Sequence, residues 1–345
     1  MTQQAQNDKD KGDFRRVKKR WKTNILFGIV LILLLFLTAC DQAPDATSSD
    51  ETSESGKITV YTSVYPLYDF AGKIAGDRAE VINLVPPGSD SHDFEPTPKD
   101  LVRLSEADVF IYIGGGFEIW IDDVLHTLDT SSMTVVPMSD HVHLLPLEEA
   151  NDHEHEEDHD GDNGHSHGNS MDPHIWLDPL RAKEMAEAIK DALIERDEDG
   201  KEMYEANFSA LATELDRLHE EYQQAVQNAA RKEIIVSHAA FGYLADRYGL
   251  EQIAISGLSP SEEPSQKELQ EIIALAEKHD VRYILFETLA MPKMANVVKE
   301  QIGAQALTLN PLEGLTKEEI AEEKDYFSVM RDNLESLKKA LGSQS

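Results

Sequence analysis

Histidines surrounded by carboxylates are the side chains of this 345-residue sequence most suited to chemistry. Seven of the thirteen histidines lie in the segment 139–170, which is dominated by His, Asp and Glu. A merely solvated insertion would explain the acidic residues but not this density of imidazoles, and tracts of this composition bind metal ions. With so few apolar residues, the segment is expected to form a mobile surface loop that collects metal. Its histidines are His141, His143, His153, His155, His159, His165 and His167.

Three histidines outside this segment occupy similar places in the predicted topology. His92 lies in a loop after a strand, His238 directly follows a strand, and His174 lies where the histidine-rich segment rejoins the fold. Glu287 is the last residue of a further predicted strand. Because ligands of open α/β sheets bind outside the carboxyl ends of the strands, at least three of these groups should face one crevice. Three imidazoles and one carboxylate match the needs of a tetrahedral zinc ion.

Strands that alternate with helices must position these residues, and this alternation predicts βαβ units with parallel sheets. The predicted strands are 57–62, 81–85, 109–113, 135–137, 233–237, 252–256, 282–287 and 306–309. The predicted helices beside them are 65–74, 98–107, 241–248, 265–278, 292–302 and 326–341. Ser265 and Glu268 form a capping box at the start of one helix, and Gly342 ends the last one. The remaining histidines lie in or at the end of helical patterns and are expected to be structural or solvent-facing: His126, His219 and His279.

Two α/β lobes are the expected architecture, because a single domain rarely exceeds about 250–300 residues. Two helical stretches, 180–195 and 201–229, separate the halves and carry apolar residues at helical spacing. We expect lobes at 57–178 and 200–345, a linking helix at 179–199, and a ligand cleft between the lobes.

Charge and cysteine content exclude several classes of protein. The chain has 65 acidic and 32 basic residues and a formal charge of -33, so binding to nucleic acid phosphates is not expected. Its one cysteine, Cys40, allows neither an intramolecular disulfide nor a thiolate zinc site. Any metal site must therefore use His, Asp and Glu.

The N-terminus has the pattern of a targeting segment. A basic cluster between Arg15 and Lys22 precedes an apolar run of 13 residues, which is too short for the roughly 20 that a spanning helix needs. The run ends at Leu37-Thr-Ala-Cys40, which resembles a bacterial lipobox. We expect a signal peptide at 1–39, lipidation of Cys40 and a flexible tether at 40–56. The protein would then be anchored to the membrane on its extracytoplasmic face.

Five motifs in order resemble the metal-binding lipoproteins of ABC transporters, most closely their zinc-specific branch, the ZnuA/AdcA type. They cover essentially 57–341 and comprise 59–70, PPGSDSHDFEPTP at 86–98, MDPHIWLDP at 171–179, VSHAAFGYL at 236–244 and FETLAMPKMA at 286–295. The resemblance implies two (βα)4-like lobes joined by a long rigid helix, with the metal in the cleft between them.

Carried over by position, the resemblance implies that His92, His174 and His238 bind the metal and places Glu287 at the fourth, acidic position. Manganese-binding relatives typically have Glu at the position of His238, so the ligand set here favours zinc over manganese. Some relatives carry a disulfide in the second lobe, for which this chain has no cysteine. The implied partners are an ABC permease and the membrane, and the protein is expected to be monomeric and not an enzyme. The open alternatives are a manganese-binding homologue, an adhesin and a zinc-dependent hydrolase.

Overall fold

Two four-stranded parallel sheets form the framework of the protein, in a computed structural model that describes residues 56–146, 171–289 and 293–343. The first sheet has the order β2-β1-β3-β4 and the second the order β6-β5-β7-β8, so both share one topology. The strands are β1 (Ile58–Thr62), β2 (Ala79–Asn83), β3 (Val109–Tyr112), β4 (Thr134–Pro137), β5 (Glu233–Val236), β6 (Glu251–Ala254), β7 (Tyr283–Phe286) and β8 (Gln305–Thr308). All eight strands predicted from the sequence are confirmed within about two residues.

Helices connect the strands, as parallel pairing requires. They are α1 (Tyr65–Ala75), α2 (Pro98–Leu104), α3 (Ile121–Thr127), α4 (Pro179–Arg196), α5 (Lys201–Gln227), α6 (Gly242–Tyr248), α7 (Gln266–Lys278), α8 (Lys293–Ile302), α9 (Lys317–Ala321) and α10 (Tyr326–Leu341). The predicted capping box of Ser265 is present, and Gly342 ends α10 in the left-handed conformation. The short helices α3 and α9 were not predicted, because seven and five residues carry too little periodic signal.

Alternation along the strands divides the core into layers. Val60 belongs to a large central cluster, whereas its neighbour Tyr61 packs on the opposite face of the first sheet. In the second sheet Ile234 faces the central cluster and Ile235 the outer one. Successive side chains of a strand point to opposite faces, so each sheet is covered on both sides. The central cluster includes residues from both sheets and from the helices between them.

The two long helices α4 and α5 pack against each other. α4 also packs against β3, β4 and α1 of the first half, while α5 contacts α1 of the first half and α10 of the second. The predicted linking helix, 179–199, covers α4, whose Arg181 contacts Asp246 of the second half, and α5 packs on helices of both halves. The predicted lobe boundaries themselves stay a prediction.

Parts of the sequence predictions concern residues that the structure does not describe. These are the signal peptide, Cys40, most of the tether, and five histidines of the histidine-rich segment: His153, His155, His159, His165 and His167. Among the helices of the described residues, none has the length and apolar character needed to cross a membrane.

Candidate metal centre

Four side chains converge at the carboxyl ends of the strands. His92, His174 and His238 each direct Nε2 toward one oxygen of Glu313, and the four candidate ligand atoms lie within 4.8 Å of one another. The distances from Oε1 of Glu313 to these nitrogens are 3.2, 3.6 and 3.5 Å in the same order. Sequence analysis named the three histidines; Glu313 is the member that it missed.

The spacing of these atoms fits a four-coordinate zinc ion. Zinc bonds to nitrogen and oxygen are about 2.0–2.1 Å long, which places the corners of a regular tetrahedron about 3.3–3.4 Å apart. The three separations from Oε1 of Glu313 to the nitrogens, 3.2–3.6 Å, bracket that value, and all four atoms lie within 4.8 Å of one another. Within the described residues, Nε2 of His174 and Nε2 of His238 are buried without a hydrogen-bond partner. Buried polar atoms are normally paired, so these two nitrogens are suited to a ligand that the protein itself does not supply.

The topology explains why residues so distant in sequence meet. His92 lies in the loop after β2, His238 follows β5 and Glu313 follows β8. In the second sheet β5 connects to β6 on one side and β7 to β8 on the other, so the strand order reverses between β5 and β7. Ligand crevices of open α/β sheets form at such reversals. His174 arrives from the first half, at the start of a 3-10 turn that leads into α4.

A buried carboxylate fixes the ring of His174. Oδ1 of Asp172 accepts hydrogen bonds from the backbone N–H and from Nδ1 of His174, at 2.9 and 2.8 Å. With the proton on Nδ1, the lone pair of Nε2 is free for a metal. Gly242 makes room for this arrangement, because a Cβ there would lie 2.3 Å from Oδ2 of Asp172.

Glu287 lies behind His238 and not among the converging atoms. Its Oε1 is 2.7 Å from Nδ1 of His238, on the side of the ring away from Glu313, although the contact lacks the alignment of a hydrogen bond. The same oxygen accepts a 2.6 Å hydrogen bond from Oγ of Ser237. Glu313, and not Glu287, is therefore the carboxylate that faces the three Nε2 atoms. Glu287 directly follows β7, whereas Glu313 lies in the loop after β8.

A signal for Glu313 was present in the sequence. Strand 306–309 was predicted, and the loop after it, Asn310 to Gly314, follows a carboxyl end just as the loops of His92 and His238 do. Applying that rule to every strand would have placed Glu313 beside Glu287 as an acidic candidate.

The imidazoles and carboxylates of this cluster shift one another's pKa values. Burial alone lowers the pKa of His238, but the carboxylates of Glu287 and Glu313 outweigh it and raise the pKa to about 9. For His174, burial is likewise outweighed by Asp172 and Glu313, and its pKa is raised. Burial raises the pKa of Glu313, yet the three histidines around its Oε1 hold that pKa well below its usual value. The carboxylate is thus ionised, and a cation is favoured at the centre.

The other histidines of the described residues do not join this cluster. His141 and His143 are exposed, near the point where the histidine-rich segment begins. His126 is exposed at the end of α3, as expected. His219 stacks on Tyr248, and His279 contacts Glu233 at 2.7 Å, so both have structural surroundings.

A cleft leads from the surface to His92. It has a volume of about 600 Å³ and is lined by residues of both halves. Phe117 and Ile119 come from the first half, and Leu258 and Glu262 from the second. His92 is the member of the cluster that lines this cleft, whereas His174 and His238 are fully buried. A small ion therefore approaches the cluster from the side of His92.

Comparison with known proteins shows the family to which the chain belongs. The family model described as zinc-uptake complex component A, periplasmic, ZnuA, matches residues 60–340. The chain belongs to the ZnuA family. Among relatives in this family, the high-affinity zinc uptake system protein ZnuA of Bacillus subtilis is 37% identical over 323 residues, which cover 94% of this chain and 98% of the relative.

A further relative, from Streptococcus pneumoniae, is similar in sequence and in its solved structure. The zinc-binding lipoprotein AdcA is 38% identical over 306 residues, 88% of this chain. The chain spans 58% of the length of that relative. A solved structure of the Zn(II)-bound ZnuA-like domain of AdcA superposes with a TM-score of 0.69 at 36% identity and covers 83% of this chain and 99% of the domain. The fold class expected from the sequence, α/β with two parallel sheets and a long helix, is confirmed as that of ZnuA-type proteins.

Proposed function

We propose that this protein captures zinc outside the cytoplasm and delivers it to the permease of an ABC transporter for uptake. The observation that carries the proposal is the convergence of three imidazole Nε2 atoms on one carboxylate oxygen, at separations of 3.2–3.6 Å that suit the ligands of one zinc ion. His92, His174, His238 and Glu313 are the proposed ligands. Zinc is here the cargo and not a cofactor.

The composition of the site supports zinc over manganese. Imidazole nitrogens suit zinc, whereas carboxylate, carbonyl and water oxygens suit manganese. With three nitrogens and one carboxylate the site supplies a closed tetrahedral set and few oxygens. A manganese-binding function is therefore the weaker alternative.

The number of protein ligands also favours a zinc-binding protein over a zinc hydrolase. Catalytic zinc sites have three protein ligands and keep a fourth position for water or substrate. Here Glu313 takes that position, and its second oxygen accepts a 2.5 Å hydrogen bond from Ser91. No activated water is placed by such a set, so we propose a binding protein and not an enzyme. The adhesin alternative stays a prediction.

The lipid anchor and the histidine-rich segment complete the proposal. Cys40, after the signal peptide 1–39, would hold the protein on the outer face of the membrane. The histidines of the segment 139–170 would raise the zinc concentration near the cleft, since His141 and His143 are exposed where the segment begins. The expected form is a membrane-anchored monomer that docks to its permease. Replacing Cys40 with Ala should move the protein from the membrane fraction to the soluble fraction without changing its zinc affinity.

Metal analysis of the purified protein tests the function directly. We expect one tightly held zinc ion per chain after removal of loosely bound metal, and no displacement by an equal concentration of manganese. Single replacements of His92, His174 and His238 by Ala should each weaken zinc binding in a competition titration with a chelator. Wild-type affinity in all three variants, or ready displacement by manganese, would contradict the assignment.

A further inference from the structure

The proposed ligand Glu313 sits at the end of a tight, strained turn. The turn, Asn310 to Glu313, begins two residues after β8. Leu312 has a φ of 62°, in the left-handed region, and its side chain is fully buried. A branched residue in this region costs free energy and persists only where the surroundings hold it, and such sites cluster where geometry matters for function.

The side chain of Asn333 in α10 forms hydrogen bonds with both the backbone N–H and the backbone carbonyl of Asn310, the first residue of the turn. Its Oδ1 accepts a hydrogen bond from the backbone N–H of Asn310, and its Nδ2 donates to the backbone carbonyl of Asn310, each at 2.7 Å. Asn333 is only 2% exposed, so water does not replace either bond. An amide is the side chain that offers one donor and one acceptor for this pairing, and Asp would lose the donor.

Further hydrogen bonds fix the rest of the turn. The side chain of Asn310 accepts from the backbone N–H of Leu312 at 2.8 Å and donates to Glu319 at 2.9 Å. Nε1 of Trp176 donates to the carbonyl of Pro311 at 2.7 Å. Trp176 is two residues from His174 and its ring lies 5.5 Å from the imidazole. The turn is therefore tied to the segment that carries another proposed ligand.

We propose that Asn333 is a positioning residue for zinc binding, which acts by locking the Asn310 to Glu313 turn so that the carboxylate of Glu313 faces the three histidines. Asn333 touches no ligand atom, and it acts through the backbone of Asn310. The inference rests on the proposed function, because it assigns a role within the same site. Groups that orient metal ligands from outside the coordination shell typically contribute about 10–100-fold in metal affinity.

A double-mutant cycle between Asn333 and Glu313 tests this role. The variants are Asn333→Ala, Glu313→Ala and the double variant, with zinc affinity measured by chelator competition and unfolding of the metal-free protein followed in parallel. We expect Asn333→Ala to weaken zinc binding about 10–100-fold, and to have no further effect once Glu313 is absent, because nothing is left to position. Cobalt(II) bound to Asn333→Ala should show weakened tetrahedral absorption.

Tyr222→Phe is the matched control. The hydroxyl of Tyr222 donates to the carbonyl of Met330, so this variant also removes a buried hydrogen bond to α10 but does not touch the turn. It should lower stability and leave zinc affinity unchanged. Asn333→Asp, which keeps the acceptor and loses the donor, provides the same test if the alanine variant does not fold.

Three outcomes would overturn the inference. Wild-type zinc affinity in both Asn333 variants would show that the residue has only a structural role. Equal losses of affinity from Asn333→Ala with and without Glu313 would show that it does not act through the carboxylate. Wild-type affinity in Glu313→Ala would contradict the proposed site itself, and this inference with it.

Discussion

The two buried glutamates near His238 should differ sharply in their contribution to zinc binding. Glu313 directs Oε1 at all three histidine nitrogens, whereas Glu287 lies 2.7 Å from the far ring nitrogen of His238. We therefore expect Glu313→Gln to remove a charged ligand and Glu287→Gln to weaken only the orientation of one. Both substitutions conserve the shape of the side chain, so the comparison isolates charge and coordination.

The size of each effect follows from the number of ligands. Four-ligand structural zinc sites bind with about 10–16 kcal/mol, so one ligand accounts for about 2.5–4 kcal/mol if the four share equally. That corresponds to a loss of about 10²–10³-fold for Glu313→Gln, at 1.4 kcal/mol for each factor of ten. Loss of a partner outside the coordination shell costs about 10–100-fold, which is the expectation for Glu287→Gln.

Chelator competition with a zinc-selective dye measures both variants against the wild type. The reasoning would be refuted if Glu287→Gln lost more affinity than Glu313→Gln, because Glu287 would then be the acidic ligand that the sequence first indicated. Thermal unfolding of the metal-free variants separates these losses from a general loss of structure.

Three further outcomes are expected. Zinc affinity should fall as the pH drops below about 9, because the pKa of His238 is raised to about 9 and its proton must leave before zinc binds. A zinc affinity that does not change between pH 6 and pH 9 would contradict this expectation. Deleting Asp152 to His167 should leave the affinity of the high-affinity site unchanged and slow uptake only at scarce zinc, whereas loss of that site would mean that the segment supplies a ligand. Asp178→Ala should lower the free energy of unfolding by about 3–5 kcal/mol, because the buried carboxylate caps α4 and pairs with Arg181 and Arg247. Equilibrium denaturation measures this change. A loss of under about 1 kcal/mol would show that these ion pairs contribute no more to stability than surface ion pairs do.

Local patterns in the sequence were sufficient to predict most of the strands and helices. Short β-branched runs between turn residues identified the eight strands, because β-branched side chains pack well on a pleated, buried surface. Capping residues such as Ser265 and Gly342 fixed helix ends, since their conformations are set by nearby backbone groups. The sequence does not distinguish α4 from α5 as the link between the halves, because both carry apolar residues at helical spacing, and in the structure both helices contact the two halves.

The site was predictable to the extent that it depends on topology. His92 and His238 follow strands, so the rule that ligands gather at carboxyl ends found them without knowledge of contacts. The choice between Glu287 and Glu313 depends on how far each loop reaches into the crevice, which the turn at Leu312 and its bond network decide. The spacing of residues in the sequence does not predict how far each loop extends.

Zinc-edge anomalous diffraction from crystals of the zinc-loaded protein tests the central claim most directly. We predict a single strong peak about 2.0–2.2 Å from Nε2 of His92, His174 and His238 and from a carboxylate oxygen of Glu313, with Glu287 outside bonding distance. A peak bonded to Glu287 in place of Glu313, or one that lies away from these histidines, would contradict the account.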